Sequence, residues 1–154
     1  MSESEQKTPW LPPRWFIHLA WKVHRGLYRI TGGRFGLRRP KDDTYGLMRV
    51  TTIGRRTGQE RAVILGYFED GDDLVTMAMN GWGAPEPAWW LNLQAHPEVR
   101  VKTPDADRRM RGRAAAAPER ARLWQRWAEI DTDLDGYAAR RPTETAVVIF
   151  EPIS

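Results

Sequence analysis

From Leu47 onward the apolar residues of this chain come in short runs broken by glycine, proline and aspartate, the spacing of strands rather than of long helices. Tyr45 to Thr52 reads as a first strand. Arg61 to Glu69 follows as a second, in which Val63, Leu65 and Tyr67 alternate with Ile64 and Phe68 as a strand buried on two faces would. Leu74 to Met79 pairs with it through Asp70-Gly71-Asp72-Asp73, a good turn sequence. Glu98 to Lys102 and Arg108 to Ala115 form another pair across Thr103-Pro104-Asp105-Ala106-Asp107. Arg109, Arg111 and Arg113 fall on one face there, the pattern of a solvated side. Thr145 to Phe150 closes the set as an apolar strand suited to a barrel centre.

The other period, 3.6, appears in three places. Phe16, Leu19, Ala20, Val23, Leu27 and Ile30 predict an amphipathic helix over 14–31 that Gly32 can end. Pro87 opens a second helix through Trp89 and Leu93, ended by His96-Pro97, with Asn92 satisfying a nearby backbone group. The start of that helix offers unpaired N–H groups to an anionic or carbonyl-rich ligand. Pro118 to Ile130 is the third, with Ala121, Leu123, Trp124, Trp127 and Ala128 turned inward; a short piece through Leu134 and Tyr137 follows. About six strands and these helices, without strand–helix–strand alternation, predict an α+β barrel rather than a doubly wound sheet. Residues 1–41 divide off as a basic tail, helix and linker, and 42–154 as the barrel domain.

Composition narrows the chemistry. At 154 residues, 41% of them hydrophobic, with eight tryptophans, the chain is one folded domain in size. It has no cysteine, which removes disulfides, iron–sulfur clusters and a thiol nucleophile. Serine occurs only at Ser2, Ser4 and Ser154, which leaves no serine nucleophile inside the domain. His18, His24 and His96 lack metal-ligand spacing, so no metal site is expected. No apolar run approaches the ~18 residues that span a bilayer, and Met1 to Thr8 are polar without a signal-peptide pattern. A cytoplasmic location is expected. The net charge of +4 is uneven, because residues 6–41 hold nine basic side chains and no acidic one. The 14–31 helix therefore has two readings: docked on the barrel with a solvated basic face, or lying on an anionic membrane surface.

With nucleophile, metal and acid–base pair all missing, an enzyme of this composition needs a cofactor to carry its reaction. Two loops offer to hold one. The first is Thr51-Thr52-Ile53-Gly54-Arg55-Arg56-Thr57-Gly58-Gln59-Glu60-Arg61, a strand–turn–strand connection. Its glycines allow left-handed backbone and close approach, and its guanidiniums suit phosphate or carboxylate. The bland reading is a solvated hairpin. The second loop is Asn80-Gly81-Trp82-Gly83-Ala84-Pro85-Glu86-Pro87, between a strand and a helix.

The first loop resembles the deazaflavin (coenzyme F420)-dependent nitroreductase family of split β-barrel proteins. Leu27-Tyr28-Arg29-Ile30-Thr31-Gly32-Gly33-Arg34 upstream, and Asn80-Gly81 with Pro87-Ala88-Trp89-Trp90-Leu91-Asn92-Leu93 downstream, fit the same family. The resemblance implies a split β-barrel of about six mainly antiparallel strands with flanking helices. It implies an F420H2-dependent oxidoreductase that transfers a hydride to an electron-poor acceptor: a quinone, an activated C=C bond or, incidentally, a nitroaromatic. Carried over residue by residue, Arg55, Arg56 and Arg61 would hold phosphate and glutamate carboxylates, with Thr57 and Gly58 adding hydrogen bonds. Met79, Asn80, Gly81 and Trp82 would line the way to the ring, and Tyr137 would face the substrate as the catalytic candidate. Asn80 stands where some relatives have lysine. Asp131 and Leu134 stand where the best-known relatives have tyrosines, so nitroreduction in particular is less expected.

Two alternatives remain open on the sequence. One is a noncatalytic module engaging an anionic membrane or polyanion through the basic helix. The other is a split-barrel reductase that uses FMN. No nucleic-acid motif is present, so no nucleic-acid partner is expected. The sequence leaves the oligomeric state open.

Overall fold

The computed structural model describes residues 36–79, 85–139, 141 and 143–153. The predicted 14–31 helix and the segment upstream of Gly36 lie outside these residues. The elements are β1 (Gly46–Ile53), β2 (Glu60–Asp70), β3 (Asp73–Met77), α1 (Ala88–Ala95), β4 (Glu98–Lys102), β5 (Asp107–Ala114), α2 (Ala117–Ile130), α3 (Leu134–Ala138) and β6 (Val147–Pro152). The six strands close into one antiparallel barrel in the order β1-β2-β3-β6-β5-β4. The α+β split-barrel expectation therefore holds, with the strand ends displaced by at most two residues.

Closure follows from strand patterning. In β1 the even positions Met48, Val50 and Thr52 are buried and the odd ones are half exposed. Val63, Leu65 and Tyr67 of β2 join Met48 and Val50, Val99 and Val101 of β4, Met110 of β5, and Val148 and Phe150 of β6 in the inner core. Trp89, Trp90 and Leu93 of α1 pack onto that core, the two indoles meeting edge to face at 6.3 Å. Asp70 pairs with Asp73 around Gly71, whose φ of 61° is the left-handed conformation a two-residue hairpin needs.

The outer faces of β2, β3 and β6 meet α2 and α3 in a second core of Phe68, Val75, Met77, Leu123, Trp127, Leu134, Val147 and Ile149. Arg122 clamps Asp70 with two 2.9 Å hydrogen bonds and holds its carboxyl below the usual range. The Trp124 indole donates to Asp135 (2.9 Å), tying α2 to α3. The structure corrects the phase of α2: Ala121 is exposed, and Arg120 lies half-buried instead, its guanidinium over Trp124 at 4.8 Å. The long stem of arginine covers apolar surface while its charged end reaches Glu144. The solvated face predicted for Arg109, Arg111 and Arg113 is only partly so. Arg113 is half-buried between Glu119 and Glu151, at 2.7 Å from each.

Candidate functional site

The arginine turn is built by its own backbone. Gly54 N–H donates to Gln59 O (2.7 Å), and Gly58 N–H donates to Gly54 O (2.8 Å). Thr57 Oγ1 accepts the Gln59 N–H at 3.2 Å, which leaves its hydroxyl proton for a ligand. A Cβ at Gly54 would fall 2.9 Å from Thr57 Oγ1 and 3.2 Å from Gln59 O, so a larger residue there would have to displace the Thr57 hydroxyl. Gly58 has φ +70° and open space where a Cβ would stand. Its N–H donates within the turn, and the space beside its Cα is open. Arg55, Arg56, Thr57 and Arg61 are exposed around it.

A buried amide from a distant helix fixes the turn. Asn92 of α1 is 5% exposed, and its Oδ1 accepts both the backbone N–H of Arg55 (3.1 Å) and that residue's guanidinium (3.0 Å). Asn92 Nδ2 donates to Thr52 Oγ1 (3.4 Å), and Thr52 Oγ1 donates to Arg61 O (3.2 Å). One side chain thereby grips both stems of the turn. The expectation that Asn92 answers a nearby backbone group is met, and that group is the first residue of the arginine cluster.

Met79 and Tyr137 stand elsewhere. Met79 follows the end of β3 and packs, with Tyr137 of α3, against the second core. Tyr45 joins them there, stacked on Trp127 at 5.3 Å with the rings 13° apart. Burial, then the charge of Asp131, pushes the Tyr45 phenol up, with Tyr137 adding to the effect. Burial likewise raises Asp131. The predicted site thus falls into two groups, a cationic turn and an aromatic patch, and no described contact joins them directly. Asn80, Gly81 and Trp82, predicted to lie between, are outside the described residues.

A groove of about 860 Å³ begins at the base of the turn, at Ile53 and Glu60. It runs over the outer faces of β1, β4 and β5 rather than toward Tyr137, and Arg49, Arg100, Lys102 and Arg109 line it among Glu60, Glu98 and Asp107. Among the described residues no group of histidines and carboxylates is placed to hold a metal. No described helix is long and apolar enough to cross a membrane.

A closed antiparallel barrel with a cationic, glycine-bracketed turn defines a split-barrel protein whose turn suits an anionic ligand. Residues 20–152 match the family model described as F420H(2)-dependent quinone reductase. The chain is 33% identical over 106 residues to an F420H(2)-dependent quinone reductase of Mycobacterium tuberculosis, an alignment covering 68% of this chain and 70% of that one. Among solved structures it resembles an F420-H2 dependent reductase, FDR-A (TM-score 0.63, 25% identity, 73% of this chain and 95% of the other). It also resembles a chain described as a domain-swapped dimer (TM-score 0.66, 25% identity, 88% and 98%). The chain belongs to the F420H(2)-dependent quinone reductase family, and is an oxidoreductase that uses coenzyme F420.

The residues present fit that cofactor. Three exposed guanidiniums, a spare hydroxyl and the open side of Gly58 suit a phosphate and a chain of carboxylates. Sequence reasoning missed Thr52 beneath the turn, Tyr45 in the patch, and the buried Arg141 paired with Glu86 just past β3. Arg141 gave no local signal, because it stands in an arginine- and proline-containing stretch that looks like surface.

Proposed function

We propose that this protein reduces a quinone with F420H2 held at one end by Arg55, Arg56, Thr57, Gly58 and Arg61. The observation that carries this reading is the Asn92 anchor: a buried amide spends its oxygen on aiming Arg55, which a merely solvated hairpin would not require. The guanidiniums bind the phosphate and glutamate carboxylates, and the Thr57 hydroxyl donates to one of their oxygens. Met79, Asn80, Gly81 and Trp82 continue the site toward the ring. Bound F420H2 supplies a hydride. The chain's task is to hold the acceptor at reacting distance, keep water out and hand on a proton.

Tyr137 is the candidate for that proton, hydrogen-bonding a quinone oxygen as it becomes a hydroquinone hydroxyl. Tyr45 and Asp131 beside it give the patch a polar character. The 42–154 barrel carries the activity. The basic 14–31 helix, in the cytoplasm, would bring the barrel to an anionic membrane where lipophilic quinones reside.

Side-by-side titration of tryptophan fluorescence with F420 and FMN tests the cofactor, followed by turnover of F420H2 with a benzoquinone and a naphthoquinone. Saturable quenching by F420 alone, with quinone-dependent oxidation of F420H2, is the expected result. Equal affinity for FMN, or no response to F420 at high micromolar concentration, would overturn it. Sedimentation with anionic vesicles, with and without residues 1–41, tests the membrane contact.

A further inference from the structure

An enclosed arginine is tolerated only where its N–H groups are answered. The side chain of Arg141 has 0% exposure. Its Nη1 donates to Ala78 O (3.1 Å) and to Thr145 Oγ1 (2.8 Å), while Nη2 donates to Glu86 Oε1 (2.9 Å). These partners belong to three separate stretches of chain. Ala78 immediately precedes Met79 at the end of β3; Glu86 immediately precedes Pro87, the N-cap of α1; Thr145 leads into β6. A planar fork can serve all three from fixed directions, which an ammonium point charge cannot do.

The second oxygen of Glu86, Oε2, is buried with no hydrogen-bond partner among the described residues. An incompletely satisfied ion pair of this kind is poor value as stabilisation, and it makes sense as a device that sets position. The position concerned matters on both sides. Met79 opens the second cofactor loop, and α1 carries Asn92, which aims Arg55. The N-cap and first turn of that helix form a short, stiff link between Glu86 and Asn92.

We propose that Arg141 is a positioning residue of the cofactor site, fixing Met79 against the N-terminal end of α1 and so setting the distance the bound cofactor must span. This rests on the functional reading above. Arg141 itself touches neither cofactor nor quinone in this role.

The test uses the full chain with Arg141→Lys, which keeps the charge and loses the fork, and Thr145→Val, which removes one contact only. Without ligand, amide hydrogen exchange at Ala78, Met79 and Trp90 should quicken about tenfold in Arg141→Lys and less in Thr145→Val, with Gly54 and Gly58 unchanged. The dissociation constant for F420 should rise about tenfold in Arg141→Lys, in protein whose far-ultraviolet spectrum matches the parent. Unchanged exchange at those three amides, or an unchanged affinity despite local loosening, overturns the proposal. If Arg141→Lys fails to fold, Thr145→Val decides by the same two readouts. If the parent protein does not bind F420, the functional reading has failed instead, and exchange alone decides whether Arg141 clamps these segments.

Discussion

The arginine turn and the patch around Trp127 are held by opposite means. At the turn every internal contact is polar: two backbone hydrogen bonds, the Thr57 hydroxyl and the Asn92 amide fix it, and its cations point outward. At the patch the hold is apolar, with Tyr45 stacked on a fully buried Trp127 and Met79 and Tyr137 packed around the same core. The turn is specified by directional bonds and exposes its charge at little cost to stability. The patch is part of the core, so any role of its residues in function is tied to folding. Substitutions should therefore separate affinity from stability at the turn and fail to separate them at the patch.

Trp127→Ala should break the patch most severely. Removing a 1%-exposed indole costs about 3–5 kcal/mol by lost transfer energy and cavity formation, read as a fall in the urea midpoint. Turnover should fall with it, because Tyr45 and Tyr137 lose their support. Arg55→Ala combined with Arg56→Ala should do the converse. Two charge-assisted contacts at roughly 1.5–3 kcal/mol each predict at least about a hundredfold weaker F420 binding, measured by titration. The thermal midpoint should barely change, and what affinity remains should depend less on salt than in the parent. Retained affinity would show that the guanidiniums face water only.

Asn92→Ala sharpens the comparison, since Asn92 belongs to both worlds: buried among tryptophans yet bonded to the turn. Leaving the Arg55 N–H without its partner should cost about 1–3 kcal/mol of stability and weaken F420 binding several-fold with kcat little altered. The smallest effect is one of pH. Tyr67, inside the barrel, has its phenol pushed up to about 12, first by burial and then by the charge of Glu69. The unfolded chain's phenol ionises near pH 10, so its contribution to stability is whole below that value and declines as pH rises toward 12. Urea unfolding between pH 9 and 12 should show that decline, and Tyr67→Phe should make it shallower.

The same contrast explains how much could be read beforehand. The turn was legible because its letters are local: glycines at 54 and 58 enclose the cations, and both flanking strands show in the apolar pattern. The barrel was legible from alternation in Val63 to Phe68 and from the Asp-Gly turn after it. What escaped was set by packing at long range. Whether Ala121 or Arg120 faces the core depends on the exact phase of α2, which a cation over Trp124 decides and a hydrophobicity count does not. Tyr45 looks like the first residue of a strand until α2 brings Trp127 over it. Arg141 is written as a surface residue and is enclosed because two distant segments, at Ala78 and Glu86, meet around it beside nearby Thr145. Strand patterning reports faces, and it is silent about which distant side chain will meet them.

The closing seam of the barrel carries one more lesson. Strand β1 meets β4 over Arg49, Val50 and Thr51 alone, immediately before the turn, and β4 follows directly on the helix that supplies Asn92. The preorganisation of the turn is therefore contingent on a loop closure some fifty positions long. A peptide spanning the first hairpin would carry all three arginines yet none of their preorganisation, and nascent chains would acquire ligand affinity only after β4 had docked.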